Sequence, residues 1–384
     1  MLRALLQLMA SLGIAFVLAA VLYVGGVQTP TSLVYVRPSE SPISRATPSP
    51  VASATTTSTT KKTPVKKALV KAPKAQPTAA AQSQSSSTSN EVHRIENPYS
   101  FPPLTADSLN QNTRAALVNI FCQTNNDLVN SISGSGVIID PRGVILTNAH
   151  VAQYVLLATQ PEVGLQCLIR TGAPAQIRWK ADILYMPAAW VDAHAQDISK
   201  SKPKGTGAND YALLIISGSS DDSPLPSAFP FIPADTREAV GFTNDPVLLA
   251  AYPAEFDAAS TKSSLYPTTI FTQIGDLLTF DESTADLMSL GSVALAQSGS
   301  SGGAVVNLWA QLVGLISTTS EGTTTADRDL RAITLSYVNR SLQQKTGLNL
   351  TSYIGSNPVA KAAEFTQNEA PTLAKQIIHY LATQ

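Results

Sequence analysis

A mainly β fold, either a sandwich or a barrel, is predicted for the larger part of this 384-residue chain. From Asn97 onwards the apolar runs become short, and turn residues recur between them. Gly136–Ile139 and Val144–Thr147, for example, flank the turn Asp140–Gly143, as expected of two strands joined by a tight connection. Few stretches in this region repeat apolar residues at helical spacing, which favours an all-β architecture.

The first 27 residues form a separate segment. Ala4 to Val27 is almost wholly apolar and is interrupted only by Gln7 and Ser11. This run of about 24 residues is long enough to cross roughly 30 Å of hydrocarbon as a helix. It predicts an uncleaved transmembrane signal anchor that directs the rest of the chain out of the cytoplasm. A signal peptide cleaved after Gly25-Gly26, giving a secreted protein, remains open.

Residues 28–97 have the composition of a disordered linker. They are rich in Pro, Ser, Thr, Ala, Gln and Lys, and no aromatic residue occurs between Pro48 and Asn90. Such a segment buries too little apolar surface to offset the entropy of ordering. The linker has a net positive charge, but its basic residues are not interleaved with aromatic residues that could stack on bases. No nucleic acid partner is therefore predicted. A stalk above a membrane is favoured, and a docking segment for a partner remains open.

The folded body is predicted over residues 98–348, followed by a helical tail over 349–384. The tail is predicted helical because Leu373, Ile377 and Leu381 recur on one face. A helix is also predicted over Tyr337–Gln344. The further candidate strands share short apolar or β-branched runs bounded by turn residues: Ala115–Cys122, Leu165–Arg170, Tyr211–Ile216, Pro246–Tyr252, Thr268–Phe280, Leu287–Leu295, Ala304–Asn307, Leu312–Thr318 and Arg331–Leu335.

Two cysteines, Cys122 and Cys167, leave two alternatives open. An even count fits one disulfide in an exported protein, whereas two buried free thiols fit the count equally well. The apolar N-terminal segment favours the disulfide. No metal or cofactor is predicted, because no set of ligating residues has the usual spacing. His194 with Asp192 and Asp197 reads as a solvated polar loop.

Three short segments carry the chemistry. Ser301 lies in a glycine-rich stretch with Gly299, Gly302 and Gly303, His150 follows Thr147-Asn148-Ala149, and Asp210 precedes an apolar run. A serine hydroxyl becomes a useful nucleophile when a neutral imidazole can take its proton and a carboxylate holds that imidazole in the right tautomer. His, Asp and Ser in this order predict a serine hydrolase.

The three segments resemble those of the trypsin-like (chymotrypsin-fold) serine proteases, and most those of the bacterial HtrA/Deg-type branch. The runs Gly134–Ile139 and Val247–Pro253 are similar to strands of the same family. The resemblance covers roughly residues 113–345, and no PDZ-like domain follows it. It implies two antiparallel six-stranded β-barrels, over about 113–217 and 245–345, with the catalytic residues between them.

The resemblance also assigns roles to individual residues. His150 would be the general base, Asp210 its orienting acid and Ser301 the nucleophile, with the backbone N–H groups of Gly299 and Ser301 as the oxyanion hole. The substrate cleft would involve Leu295, Ser317, Thr318 and Thr319, and the hydroxyl of Ser317 would also support the acid. Leu295 at the base of the specificity pocket predicts an uncharged P1 side chain. The protein would then be a membrane-tethered, extracytoplasmic serine endopeptidase that cleaves protein or peptide substrates without a cofactor.

Two other interpretations remain. The stretch from Gly299 to Gly303 also satisfies the Gly-x-Ser-x-Gly pattern of α/β-hydrolases, which requires an acid and a histidine downstream of the serine. The only later histidine is His379, and strands do not alternate with helices, so this reading is disfavoured. The second is a catalytically silent or partner-activated binding module on the protease fold.

Overall fold

The structure is a computed structural model that describes residues 94–124, 128–200, 205–238, 240–254, 264–280, 284–319 and 328–382. The predicted N-terminal anchor and nearly all of the predicted linker lie outside these ranges, so both stay predictions. Within the ranges given, no helix combines the length and the apolar character needed to cross a bilayer.

The described chain begins with a segment that docks on the body of the protein. Tyr99 Oη donates to Asp235 Oδ2 at 2.5 Å. The indole Nε1 of Trp309 donates to Phe101 O at 2.9 Å, and Leu104 N donates to Leu308 O at 2.8 Å. Helix α1 follows over Ala106–Ala116. It occupies the start of the predicted strand Ala115–Cys122, which in the structure begins only at Leu117.

Six antiparallel strands form a closed barrel, as the resemblance predicts for the first half of the fold. The order around the barrel is β1-β2-β3-β6-β5-β4, which returns to β1. The shortest strand, β3, is buried along its whole length. The strands are β1 Leu117–Thr124, β2 Ile132–Asp140, β3 Val144–Thr147, β4 Leu165–Thr171, β5 Gln176–Tyr185 and β6 Ala212–Ser219.

A disulfide joins Cys122 and Cys167, which lie directly opposite each other on β1 and β4. These two strands are the pair that closes the barrel. The bond therefore cross-links the barrel where the two ends of its strand order meet.

The second half is a seven-stranded antiparallel sheet. Its strands are β7 Pro246–Ala251, β8 Thr268–Gln273, β9 Leu277–Leu278, β10 Leu287–Ser289, β11 Ala304–Asn307, β12 Leu312–Thr319 and β13 Leu330–Thr334. Their order is β8-β7-β11-β12-β13-β10-β9. The adjacent strands β7 and β11 are mostly apolar, whereas β12 begins with apolar residues and ends with the polar residues Ser317–Thr319.

The predicted second six-stranded barrel is therefore wrong in detail: among the described residues, this sheet has seven strands and does not close. The predicted strand Thr268–Phe280 divides into β8 and β9 because the chain turns between them. Ile274 N donates to Asp245 O at 2.9 Å, and Gly275 N donates to Ser289 O at 2.8 Å. These bonds tie the turn to neighbouring segments, so β8 pairs only with β7 and the two-residue β9 only with β10.

The further helices are α2 Ala149–Leu157, α3 Ala188–His194, α4 Leu335–Thr346, α5 Leu350–Gly355, α6 Pro358–Asn368 and α7 Ala370–Ala382. The last three make up the region predicted as a helical tail. Helix α7 lies against α2 and α3, and α6 lies against the barrel strand β5. Ile377 and Leu373 of α7 share an apolar cluster with Leu156 of α2 and Trp190 of α3.

Candidate active site

His150 and Asp210 form a two-point contact. The imidazole Nδ1 lies 2.8 Å from Asp210 Oδ2, and the backbone N of His150 donates to Asp210 Oδ1 at 2.9 Å. Because a carboxylate only accepts hydrogen bonds, Nδ1 carries the proton and Nε2 is left as the basic nitrogen. One third of the His150 side chain is exposed, whereas Asp210 is buried. The basic nitrogen belongs to a ring that solvent and substrate can approach.

The position of His150 follows from the start of α2. His150 is the second residue of this helix, so its amide is one of the first N–H groups that have no partner within the helix. Asp210 supplies that partner and places its negative charge at the positive end of the helix. Asn148, the residue before the helix, donates its Nδ2 to Asp210 O at 2.8 Å. The helix start and the acid are thereby fixed to each other.

The residues on either side of Asp210 are held by α4. The preceding residue, Asn209, has φ 57°, a left-handed conformation that asparagine tolerates better than most residues. Tyr337 Oη accepts from Asn209 N at 2.9 Å, and Ser341 Oγ donates to Asn209 Oδ1 at 3.1 Å. Ser341 also accepts from Tyr211 Oη at 3.0 Å. The turn that presents the carboxylate is therefore clamped by a helix that follows the last strand.

Ser317 connects Asp210 to the glycine-rich segment Gly299–Gly303, which contains Ser301 and is called the serine loop. Its Oγ donates to Asp210 Oδ2 at 2.7 Å, so this oxygen accepts from both Ser317 and His150. Ser317 lies where the pairing of β12 with β13 skips one residue between Ile316 and Thr318. Such an irregularity re-aims a side chain.

The pKa values of the pair move in opposite directions. Burial alone would lower the pKa of His150, but the charge of Asp210 and its hydrogen bond raise it above the usual value. Burial alone would raise the pKa of Asp210, but His150 and the donor groups of His150 and Ser317 hold it below its usual range. Both shifts favour the ionised carboxylate and a strongly basic imidazole.

The serine loop needs its glycines for close approach. A Cβ on Gly302, which has φ 84°, would lie 2.0 Å from Ser135 O. A Cβ on Gly299, which has φ 85°, would lie 2.6 Å from Tyr252 O. Any larger residue would push the loop away from both the barrel and the second sheet. These contacts bring Ser301 to the boundary between the two halves.

The hydroxyl of Ser301 contacts the backbone of β12. It donates to Ser317 O at 3.5 Å, and no hydrogen bond joins it to His150 among the described residues. The structure thus brings His150, Asp210, Ser317 and Ser301 into one hydrogen-bonded group, with the last link through a backbone carbonyl.

The backbone N–H groups predicted as an oxyanion hole are open. In the described part of the chain, neither Gly299 N nor Ser301 N donates to another residue. The adjoining carbonyls are bound: Ser298 O accepts from Ala254 N, and Ser300 O accepts from Gly303 N, each at 2.9 Å. Fixing those two peptide planes also fixes the directions of the two free N–H groups.

The remaining predicted residues fall into two groups. Leu295 is fully buried in the apolar cluster of the second sheet, six residues before Ser301. Thr318 and Thr319 continue β12 beyond Ser317 and pair with Arg331 and Leu330.

Within the described ranges, no three His, Cys, Asp or Glu side chains gather as a metal site. The predicted polar loop has internal partners, since His194 Nδ1 and Lys200 Nζ both contact Asp197.

Sequence reasoning missed the residues that support the site. Asn148, Tyr337 and Ser341 hold Asp210 or its turn, and Ser135 contacts the serine loop. Asn148 and Ser135 lie within the motif segments around His150 and Gly134, so these motifs could have indicated both residues as candidates for supporting the site. Tyr337 and Ser341 carried none, because they approach Asn209 from more than 120 positions away.

Two comparisons find known proteins that are similar to this chain. Residues 134–315 match the family model described as a trypsin-like peptidase domain, which confirms the predicted resemblance. The crystal structure of the serine endoprotease from Yersinia pestis is similar at 20% sequence identity and a TM-score of 0.40, covering 64% of this chain and 69% of that chain. A search of curated proteins returns no match.

Proposed function

We propose that the protein is a serine endopeptidase with His150, Asp210 and Ser301 as its catalytic triad. The match of residues 134–315 to the trypsin-like peptidase domain supports this proposal. The observation that carries the proposal is the convergence of His150 Nδ1 and Ser317 Oγ on one oxygen of the buried Asp210. This arrangement fixes the imidazole with its basic nitrogen free, as proton transfer from a serine requires.

In the proposed reaction, Ser301 Oγ attacks the carbonyl carbon of the scissile peptide bond while His150 Nε2 takes the hydroxyl proton. The oxygen of the tetrahedral intermediate receives hydrogen bonds from Gly299 N and Ser301 N. His150 then returns the proton to the leaving amine, and an ester on Ser301 remains. Water, deprotonated by His150, hydrolyses this ester and restores the serine.

We place the catalytic domain outside the cytoplasm, held by the apolar segment at residues 4–27 through the linker at 28–97. The disulfide between Cys122 and Cys167 supports an oxidising compartment. The same sequence features leave cleavage of the segment, and hence secretion, as the alternative. Recovery of the full-length protein in the soluble fraction without detergent would count against the anchor.

We further propose that the P1 side chain is uncharged. Leu295 supports this, because the family resemblance implies a position at the base of the pocket and the side chain is packed among apolar residues. Digestion of a peptide library should yield cleavage after apolar or small residues. A profile dominated by Lys or Arg at P1 would contradict the proposal.

The central test is labelling by a fluorophosphonate probe. The full-length protein should be labelled at Ser301, identified by tandem mass spectrometry, and should cleave casein. Ser301→Ala should lose both signals, because it removes the hydroxyl proposed as the nucleophile. Ser352→Ala is the matched control, because Ser352 is an exposed serine on α5. Labelling that persists in Ser301→Ala would show that another residue reacts.

The bond from Ser301 Oγ to Ser317 O favours a second candidate, a protease-fold module that is silent or becomes active only with a partner. In that case the serine side chain stays turned from His150 until a bound partner or substrate moves it. A folded wild-type protein that neither reacts with the probe nor cleaves casein would support this candidate. Rapid labelling of the isolated protein would remove it.

A further inference from the structure

We propose that Ser135 is a positioning residue that holds the serine loop in its reactive shape. The inference rests on the proposed function, since it concerns the same oxyanion hole. Ser135 lies on β2 of the barrel and is fully buried. Its side chain and backbone contact three segments that are distant in sequence, two of which belong to the second half of the fold.

Four hydrogen bonds meet at this residue. Ser135 Oγ donates to Gly299 O at 2.7 Å and accepts from Tyr252 N at 2.8 Å. Ser135 N donates to Ser301 O at 2.8 Å, and Ser135 O accepts from Thr147 Oγ1 at 2.7 Å. All the hydrogen-bonding groups of Ser135 are therefore used, and two of the bonds end on the loop that carries the nucleophile.

The bonds of Ser135 complete the support of that loop. The carbonyls of Ser298 and Ser300 are bound by Ala254 N and Gly303 N, whereas those of Gly299 and Ser301 are bound by Ser135. With four successive carbonyls held, the intervening peptide planes cannot rotate freely. Gly299 N and Ser301 N stay directed towards the space beside Ser301, where a developing oxyanion would be bound.

A hydroxyl suits this position because it donates and accepts at once. Replacing Ser135 by Ala would leave Gly299 O and Tyr252 N without their side-chain partner in a buried environment. The backbone bond from Ser135 N to Ser301 O would remain. We therefore expect the loop to stay near the barrel, with the Gly299–Ser300 peptide held only by the bond from Ser300 N to Gln297 O at 3.3 Å. This peptide lies between the two peptides that carry Gly299 N and Ser301 N, so their orientation becomes less well fixed.

The test compares Ser135→Ala with Ser133→Ala in the full-length protein. Ser133 lies on the same strand, and its hydroxyl accepts from Asn119 Nδ2 at 2.9 Å without contacting the serine loop. Ser135→Ala should lower the fluorophosphonate labelling rate and the kcat for casein by roughly 10- to 100-fold, with KM little changed. Ser133→Ala should stay within about twofold of wild type.

The endpoint of labelling separates positioning from simple loss of fold. A positioning role predicts that Ser135→Ala is eventually labelled to the wild-type extent but at a lower rate. A lower extent with a wild-type rate would overturn the proposal, because it would mean only that fewer molecules are folded. If Ser135→Ala does not fold, Ser135→Cys, which has nearly the same volume and a weaker donor, should give the same slow, complete labelling.

The experiment distinguishes failure of this inference from failure of the proposed function. If wild type is unlabelled, the proposed function fails first. If wild type is labelled at Ser301 and Ser135→Ala reacts at the wild-type rate, the endopeptidase stands and the role of Ser135 is refuted.

Discussion

Asp210 Oδ2 is the atom that joins His150 and Ser317. It accepts from His150 at the start of α2 and from Ser317 on β12, and both bonds are 2.7–2.8 Å long. The acid is buried, so each bond offsets part of the cost of keeping a charge away from water. A change at this carboxylate should therefore alter the imidazole more than any change on the exposed side of the ring.

The pH dependence of activity should report this pairing. His150 acts as a base only when neutral, and its pKa is raised by Asp210, so the acid limb of kcat/KM should have its midpoint above 6.5. Asp210→Asn removes the charge and should lower both the midpoint and the activity, the latter by about 10⁴-fold. Asp222→Asn, at an exposed carboxylate, should shift neither. A wild-type midpoint at or below 6.5 would contradict the raised pKa.

At the level of elements, α7 supports α2, the helix that carries His150. Ile377 and Ala374 are fully buried where α7 meets α2, α3 and the turn Ala195–Asp197. This contact lies outside residues 134–315, which match the trypsin-like domain. The C-terminal helices thus belong to the packing of the barrel half.

Ile377→Ala should therefore destabilise the folded protein by about 2–5 kcal/mol, because it empties a fully buried site. Urea unfolding followed by circular dichroism measures the change. Val359→Ala on α6 is the matched aliphatic control: its side chain is 59% exposed, and a change within about 0.5 kcal/mol is expected. Equal effects of the two substitutions would mean that α7 packs only loosely.

The sequence predicts the strand-forming segments better than the helices and turns around them. The barrel strands carry strong apolar patterns, and the motif residues mark His150, Asp210 and Ser301. Helices α1 and α2 were missed: α1 has polar residues over much of its length, and α2 is too apolar to show one face. The break in Thr268–Phe280 depends on partners such as Asp245 and Ser289, which local patterns do not reveal.

On the scale of the whole molecule, each half of the described fold has its own apolar cluster, and a third spans both. The barrel half is also closed covalently, because Cys122 and Cys167 link the strands that complete it. The second sheet has no such bond, since both cysteines of the chain are used in the barrel. The two halves should therefore respond differently to a reducing agent.

Removing the disulfide should cost roughly 2–4 kcal/mol of stability, since it closes a loop in the unfolded chain. The expected result is a lower Tm for wild type in dithiothreitol than without it. The double variant Cys122→Ala and Cys167→Ala should have a similarly lowered Tm and should not respond to dithiothreitol. A wild-type Tm that is the same under both conditions would show that the bond adds nothing.

A pulling force on the upstream chain would act on the folded body through the docked segment at residues 97–104. Its bonds to Leu308 and Trp309 lie on the hairpin that joins β11 to β12. One arm of that hairpin begins directly after Gly303, and the other carries Ser317. A chain stretched from its upstream end would transmit tension to Asp235 through Tyr99, and to this hairpin through Phe101 and Leu104. The hairpin would pass the tension to β11 and β12, which adjoin the segment that contains Ser301.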